Sequence, residues 1–331
     1  MRLKAYRLAT VSTRRHRLAR GHQECKDKVE ARRGLSVPGE LETMGSMAIN
    51  DLKVKFFELV RRRGRIILLT NPGSGMGNQF YYWLRAHTLQ IQGHEAFAMW
   101  APKMLPIEDK FVYCRDRLTI KRADVSFFDQ RMPGLPQAFG KDFSRVELEN
   151  FIRECLCPPG SPLLVELEKA EALATPGRVL VNVRRGDYYS VPKHRGEYSF
   201  DIGEYVRVAL DELRSTGEIR EICVISDDLD WCRQKMQWLN DVAPVTYPEA
   251  DLGVLEQLAL LATGERIVLA NSSFSYWAAY IGEVWKQEQG VQGWNTNVVA
   301  PAFHSRWAAN PAPQLDPAWV TIHDIPGGWD G

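Results

Sequence analysis

Short apolar runs alternate with segments of helical periodicity along most of this chain. The run RIILLT is followed by a glycine-rich stretch, by apolar residues at helical spacing from Phe80 to Ile91, and by the run AFAMW. A second series begins after Pro176 with the runs RVLVNV, EICVIS and RIVLAN. Its periodicity predicts helices around Tyr205–Leu213, from Trp231, over Asp251–Ala262 and from Tyr276. Because such alternation is typical of parallel sheets covered by helices, we predict an α/β fold of two Rossmann-like domains facing a cleft.

The two series are separated by a less periodic middle, from Pro102 to Pro162, that is rich in proline and glycine. We place an N-terminal Rossmann-like domain at residues 49–172 and a C-terminal domain at 173–331. Residues 1–48 are rich in arginine and poor in large apolar residues, so we expect a disordered basic tail or an over-extended start. A basic surface anchor is the alternative interpretation.

The overall charge balance provides no long-range attraction for an anionic partner. The formal net charge is +1, which provides no global field for nucleic acid or a membrane surface, so an anion must be bound by local geometry. The six cysteines are scattered without paired CxxC spacing, which favours reduced thiols over a disulfide scaffold or a zinc site. No apolar run approaches the about 20 residues of a membrane span. We therefore expect a cytoplasmic protein.

Polar segments follow four of the predicted strands, where ligands of parallel sheets bind. The first, NPGSGMGNQ from Asn71 to Gln79, would let backbone N–H groups approach a phosphate or a sugar. Its glycines do not have GxGxxG spacing and no phosphate-loop lysine follows. The next strand ends at Trp100 instead of an acidic residue, which counts against the alternative of a dinucleotide-dependent oxidoreductase.

The second segment, NVRRGDYYS, brings Arg184 and Arg185 to a strand end. Successive side chains of a strand point to opposite faces, so we expect one ligand arginine and one structural arginine that pairs with an acid. The planar fork of an arginine donates two parallel bonds and therefore suits a diphosphate.

The third and fourth segments, VISDDLDWC and ANSSFSYW, each precede a helix. Asp228 and Asp230 form a DxD pattern that could hold a divalent cation. We favour the alternative that Asp230 caps the helix from Trp231 and that Asp227 or Asp228 accepts a hydrogen bond from a ligand base or ribose. In the fourth segment, Ser272 and Ser273 either form an anion-binding helix start or simply cap the helix.

These four segments together resemble the α-1,2-fucosyltransferases of glycosyltransferase family eleven. The family's marks are a GxGNQ segment, here GMGNQ; an HxRRGDY segment, here NVRRGDY; a DDxxWC segment, here DDLDWC; and an NSSFSWW segment, here NSSFSYW. The similarity spans about residues 65 to 305 and includes VVAPAFHSRW. The departures are Asn182, where the family usually has a histidine associated with the donor nucleotide, and Tyr276 in place of tryptophan.

The resemblance implies a GT-B-like architecture and transfer of L-fucose from GDP-fucose to a galactose-like hydroxyl with inversion, without a cofactor or metal ion. Arg184 would stabilise the departing diphosphate, and Asp187 and Glu197 are candidates for the general base. The residues expected to bind the donor are Asn182, Arg184, Asp227, Asp228, Ser272, Ser273 and Phe274. The residues expected to form a loop that closes the cleft are Gly75, Gly77, Asn78 and Gln79.

The expected partners are a GDP-sugar and a galactose-containing glycan or lipid-linked oligosaccharide that contributes to cell-surface polysaccharide. We expect peripheral contact with the inner membrane face and no binding of nucleic acid. Two alternatives remain open: a transferase with another GDP-sugar donor, and a non-catalytic relative that binds a GDP-sugar or a glycan. Asn182 keeps the second alternative open because asparagine cannot carry charge.

Overall fold

The computed structural model describes residues 64–249, 252–306 and 312–325. The predicted tail, residues 1–48, lies outside these residues. Two parallel β-sheets with accompanying helices form the framework of the described part. The predicted α/β fold is thereby confirmed.

The first sheet has the strand order β3-β2-β1-β4. Its strands are β1 (Ile66–Leu68), β2 (Ala96–Met99), β3 (Thr119–Ile120) and β4 (Gln130–Met132). The helices of this part are α1 (Met76–Ile91), α2 (Leu105–Glu108), α3 (Val112–Leu118), α4 (Arg145–Phe151), which continues as a π-helical turn over Ile152–Leu156, and α5 (Pro162–Ala172). The long helix α1 is buried over most of its length, including Phe80, Tyr81 and Trp83.

The second sheet has the order β10-β9-β8-β5-β6-β7. Its strands are β5 (Arg178–Val183), β6 (Glu221–Ser226), β7 (Val245–Thr246), β8 (Arg266–Val268), β9 (Val298–Pro301) and β10 (Val320–Ile322). Its helices are α6 (Gly186–Ser190), α7 (Pro192–Tyr198), α8 (Ile202–Arg214), α9 (Leu229–Lys235), α10 (Val254–Ala262) and α11 (Ser273–Glu288). The chain runs outward from β5 through β6 to β7 and then returns to β8 on the other side of β5. This reversal creates a crevice at the carboxyl ends of β5 and β8, which is where open α/β sheets bind ligands.

Helix α11 packs against α1 and so joins the two halves of the described structure. The ring of Trp277 lies 5.3 Å from that of Phe80 and 5.1 Å from that of Tyr81, measured between centroids. All three side chains are fully buried. Aromatic rings of this size dominate the energetics of a core. The packing of α1 on α11 therefore fixes how the two helix starts, and the segments that precede them, meet.

The described cysteines are free thiols. Burial raises the pKa of the Cys232 thiol to about 11, so it is protonated and unreactive at neutral pH. Within the described residues, no helix combines the length and the apolarity that crossing a bilayer requires.

Candidate active site

A cleft with a cavity of about 580 Å³ opens at the carboxyl end of β5, between the start of α1 and the start of α11. All four polar segments contribute to its wall. The residues that line it are Asn71, Gly73, Ser74, Gly75, Met76, Gly77, Asn78, Lys103, Asn182, Val183, Arg184, Asp187, Tyr188, His194, Tyr198, Ser226, Asp227, Val254, Gln257, Ser272, Ser273, Phe274 and His304.

Arg184 presents its guanidinium group to this cleft. One terminal nitrogen lies 2.7 Å from Oδ2 of Asp227, and the other forms a short ion pair with Asp187. The guanidinium carbon lies 5.2 Å from the ring centroid of Tyr188, and about a third of the side chain (35%) remains exposed. Two carboxylates and an aromatic ring therefore orient a cation that can still contact a ligand.

Arg185 points away from the cleft and is not among the residues that line it. Its guanidinium group lies between the rings of Tyr189 and Trp231, 4.2 Å and 4.0 Å from their centroids. Its Nε lies 3.3 Å from Oδ2 of Asp228. This environment gives Arg185 a structural role, because stacking and pairing occupy both faces and the edge of the guanidinium plane.

The aspartates after β6 differ from the expectation for the helix cap. Asp228, not Asp230, caps α9, because its Oδ1 accepts a hydrogen bond of 3.1 Å from the backbone N–H of Trp231. The helix begins at Leu229, two residues earlier than predicted, so its cap is the residue before Leu229. Asp230 is exposed and pairs with Arg233.

Asp227 is the aspartate of this segment that lines the cleft. Besides its ion pair with Arg184, it accepts a hydrogen bond of 2.8 Å from the backbone N–H of Arg185. Asp228 is engaged by α9 and Arg185, so Asp227 has the better position to contact a ligand. The two carboxylates of the DxD pattern, Asp228 and Asp230, have different partners. Among the described residues, no group of three or more His, Cys, Asp or Glu side chains converges as metal ligands would.

The start of α11 forms the floor of the cleft. Ser272 caps the helix and its Oγ accepts a hydrogen bond of 3.3 Å from the N–H of Phe274. Ser272, Ser273 and Phe274 all line the cleft. The first N–H groups of a helix have no acceptor within the helix and carry a partial positive charge, so this end of α11 favours an anion.

The GMGNQ segment is not a free loop, although we predicted a loop that closes the cleft. Met76 to Gln79 already form the first turn of α1, with Gly75 as its extended cap. A Cβ atom at Gly77 would lie 2.6 Å from the carbonyl carbon of Ser273, so glycine is required here for the contact with α11. Gly75, Gly77 and Asn78 line the cleft, whereas Gln79 is fully buried and donates a hydrogen bond to the carbonyl of Ser74.

Asn182 lines the cleft but already has partners for both ends of its amide. Its Nδ2 donates a hydrogen bond of 3.0 Å to the carbonyl of Ile225, and its Oδ1 accepts a short bond from the hydroxyl of Ser275. The side chain is buried. One amide N–H is left for a ligand, since the NH₂ group has two.

The two candidates for the general base are in different positions. Asp187 lines the cleft, where it pairs with Arg184 and lies 3.3 Å from Nδ1 of His194. Glu197 is outside the cleft wall and accepts a hydrogen bond of 3.0 Å from the hydroxyl of Ser305. The structure therefore favours Asp187 over Glu197 as a residue that can reach a substrate.

Several cleft residues were not selected from the sequence, notably Tyr188, His194, Tyr198 and His304. The rings of Tyr188 and Tyr198 are stacked, with centroids 4.4 Å apart. Tyr188 lies directly after the RRGD stretch, and His304 lies within VVAPAFHSRW, so the motifs themselves contained a signal for both. His194 and Tyr198 lie on α7, in a stretch without a recognisable pattern.

The sequence of this chain matches one family of known proteins and is similar to several individual proteins. The model of glycosyl transferase family 11 matches residues 137–322. The galactoside alpha-(1,2)-fucosyltransferase 1 of Aotus azarae is 30% identical over 143 residues, which are 43% of this chain and 37% of that protein. The enzyme of the same name from Leontocebus fuscicollis is 25% identical over 150 residues, 45% of this chain and 40% of the relative. The aligned segment thus spans less than half the length of these relatives.

Two solved structures also resemble this chain. POFUT1 in complex with GDP-fucose has a TM-score of 0.31 and 13% sequence identity, with 66% of this chain and 70% of that chain covered. The ADP-heptose LPS heptosyltransferase II of E. coli has a TM-score of 0.42 and 13% identity, with 80% of this chain and 91% of that chain covered.

Proposed function

This chain belongs to glycosyl transferase family 11, and we propose that it transfers L-fucose from GDP-fucose to a hydroxyl group of a galactose-containing glycan. The observation that carries the proposal is the position of Arg184. Its guanidinium group lines the same cavity as the start of α11, and both are suited to a diphosphate.

In the proposed reaction, the bond between the anomeric carbon of fucose and the diphosphate oxygen breaks, and its electron pair remains on GDP. The acceptor hydroxyl attacks the opposite face of that carbon and loses its proton, which inverts the configuration. Arg184 and the N–H group of Ser273, at the start of α11, stabilise the negative charge that develops on the diphosphate. These groups would supply the stabilisation without a metal ion.

Arg184 needs its two aspartate partners to stay in place. Asp187 and Asp227 hold both terminal nitrogens of its guanidinium group. A preoriented donor loses little entropy when it contacts the ligand, and it stabilises charge at the moment of reaction without reorganising. Asp187 lines the cleft and Glu197 does not, so Asp187 is our preferred candidate for accepting the proton of the acceptor hydroxyl.

We further propose that the acceptor is a glycan or lipid-linked oligosaccharide destined for cell-surface polysaccharide, and that the enzyme works in the cytoplasm, in peripheral contact with the inner membrane face. Support for the fucosyl donor and the galactoside acceptor comes from the names of the relatives and from the family. The location rests on the sequence alone.

The deciding experiment measures release of GDP from GDP-fucose, with and without galactosides, in buffer containing excess EDTA. We expect slow release alone, faster release with a galactoside acceptor, and a product whose NMR spectrum shows an α-1,2 linkage. Binding of GDP without turnover with any acceptor would indicate a non-catalytic relative. Turnover with GDP-mannose instead of GDP-fucose would indicate another donor. Complete inhibition by EDTA, reversed by Mn²⁺, would contradict the metal-independent mechanism.

A further inference from the structure

A second histidine of the cleft, His304, is held by a tyrosine of α11. His304 follows β9 and lines the cavity. Its Nδ1 lies 3.3 Å from the hydroxyl oxygen of Tyr276, whose side chain is wholly buried. Within the described residues this hydroxyl has no other hydrogen-bond partner. A buried hydroxyl usually donates its proton when an acceptor is available, which favours Nδ1 as the acceptor.

This contact determines where the proton of the neutral imidazole lies. When Nδ1 accepts, the ring proton is on Nε2. The backbone of Asn271 also contacts the imidazole, and this contact opposes the effect of burial on the pKa of His304. Burial lowers the pKa of His304 to about 4, so the ring is neutral at physiological pH. His304 thus offers the cleft a single uncharged N–H donor.

The ring is also fixed in position. Asn271 is buried, and its Nδ2 donates to the carbonyl of His304 at 3.2 Å and to that of Tyr198 at 2.9 Å. The rings of Tyr198 and Tyr276 pack against the imidazole, with centroids 5.9 Å and 5.6 Å away. Main chain and side chain are therefore both held before any ligand binds, which is the condition for an efficient hydrogen bond to a ligand.

We propose that His304 donates its Nε2–H to an oxygen atom of the bound GDP-sugar, and that Tyr276 is a positioning residue that fixes this tautomer. The inference rests on the proposed function. Asn182 has most of its hydrogen-bonding capacity engaged within the protein, so His304 provides a neutral donor that Asn182 cannot fully provide. A neutral donor complements Arg184, because it can bind an oxygen without competing for Asp187 and Asp227.

Binding of GDP and of GMP, measured by calorimetry, tests the contact. In His304→Phe an aromatic ring remains but the imidazole N–H donor is lost. The Kd for GDP should therefore rise about fivefold to tenfold, as expected for one hydrogen bond. Tyr276→Phe should raise it by a smaller factor. An effect on GDP but not on GMP would place the contact at the terminal phosphate, whereas an equal effect on both would place it at the nucleoside or first phosphate.

Tyr280→Phe is the matched control. Tyr280 is equally buried, lies one turn further along α11, and donates its hydroxyl proton to the carbonyl of Gln314, away from the cleft. Its loss should lower stability about as much as the loss of the Tyr276 hydroxyl while leaving the Kd for GDP unchanged. Equal effects of the two variants on GDP binding would show that Tyr276 acts only through stability.

Long-range ¹H–¹⁵N spectra of ¹⁵N-histidine-labelled protein test the tautomer directly, with His304→Phe identifying the signal. We expect the Nε2–H form in the natural protein, a mixture of tautomers in Tyr276→Phe, and the natural spectrum in Tyr280→Phe. An Nδ1–H form in the natural protein would overturn the inference. Unchanged GDP binding by His304→Phe would overturn this inference but not the proposed function. No GDP binding by the natural protein would overturn both.

Discussion

At the scale of single residues, Arg184 and Arg185 show how two adjacent identical side chains acquire different roles. The guanidinium of Arg184 has acidic partners and an open side toward the cleft. The guanidinium of Arg185 is enclosed by two aromatic rings, and its side chain is only 17% exposed. The alternation of side chains at a strand end produces this difference. The two positions therefore predict different kinds of mutant.

We predict that Arg184→Lys loses roughly 30- to 150-fold in kcat/KM, or about 2–3 kcal/mol of transition-state stabilisation, while the fold survives. Lysine keeps the charge but lacks the planar fork. Fucosyl transfer and thermal melting measured in parallel test this. Arg233→Lys is the control, because Arg233 also pairs with an aspartate three residues away and lies 5.0 Å from a tyrosine ring, outside the cleft. Near-natural transfer by Arg184→Lys would disprove the diphosphate role.

Arg185→Ala should lower thermal stability without weakening GDP binding. The substitution removes stacking on Tyr189 and Trp231 and leaves Asp228 without its cationic partner, at a cost on the order of 1–2 kcal/mol. Melting curves and GDP calorimetry separate the two effects. A large rise in the Kd for GDP with unchanged melting would mean that the roles of the two arginines are reversed.

The pKa of His304 predicts a pH dependence of stability. Burial lowers this pKa from 6.5 in the unfolded chain to about 4 in the folded protein. The unfolded state therefore binds a proton that the folded state does not, so the stabilisation is complete above pH 6.5 and is lost as the pH falls from 6.5 toward 4. Urea unfolding at pH 7.5 and pH 5 should show a larger loss for the natural protein than for His304→Phe. Equal losses would refute the prediction.

At the scale of elements, the site depends on the contact between the starts of α1 and α11. A Cβ atom at Gly77 would lie 2.6 Å from the carbonyl carbon and 2.7 Å from the Oγ of Ser273. Both distances are shorter than any real Cβ contact, so one helix would have to move. Because Ser273 lines the cleft, such a movement changes the site as well as the packing.

Gly77→Ala should therefore destabilise the protein by about 1–3 kcal/mol, the usual cost of forcing extra atoms into a packed site. It should also weaken GDP binding. Gly75→Ala is the control for stability, because a Cβ atom at Gly75 has nothing within 4 Å and its backbone is extended at φ −72°. Unfolding in urea measures both variants. Equal stability of the two would show that the start of α11 accommodates a methyl group.

Long, periodic elements could be predicted from the sequence, and short ones could not. Helix α1 and strands β5 and β6 have clear apolar patterns and were predicted. Strands β3 and β7 have two residues each, too few to produce a pattern, and they form only because a neighbouring strand offers hydrogen bonds. The cap of α9 was placed two residues too late for a related reason, since Asp227, Asp228 and Asp230 can all cap a helix and only tertiary contacts select one.

At the scale of the whole molecule, the cleft is assembled from segments more than two hundred residues apart. The sequence indicated which segments meet, because all four follow strands of parallel sheets. It did not indicate that the amide of Asn182 is occupied by Ile225 and Ser275, or that Glu197 contacts Ser305. Such partners depend on the mutual placement of elements, and no local pattern encodes that placement.

A partly buried ion-pair network around Arg145 joins the two halves of the described structure. Arg145 on α4 contacts Glu283 of α11 and Asp316 of the C-terminal segment, with nitrogen–oxygen distances of 2.5 Å to each. The side chain of Asp316 is fully buried, and that of Glu283 is 11% exposed. Burial raises the pKa of Glu283. Two further ion pairs join α11 to the first half, Arg153 with Glu288 and Lys286 with Glu171, but Arg145 is the residue that contacts two carboxylates of low exposure at once.

Replacing this arginine should be among the most damaging single changes outside the cleft. Arg145→Met keeps the length of the side chain but leaves the buried carboxylate of Asp316 without a cation. Loss of one partner of a buried ion pair costs about 3–5 kcal/mol of stability. We expect the lower part of that range, because Arg145 is 34% exposed and because Asp316 keeps a hydrogen bond from the N–H of Ala318. Urea unfolding measures the loss. Arg115→Met is the control, since Arg115 pairs with the exposed Asp109 and Asp116, and exposed pairs contribute little. Similar stability of the two variants would mean that the network around Arg145 contributes no more than a surface ion pair.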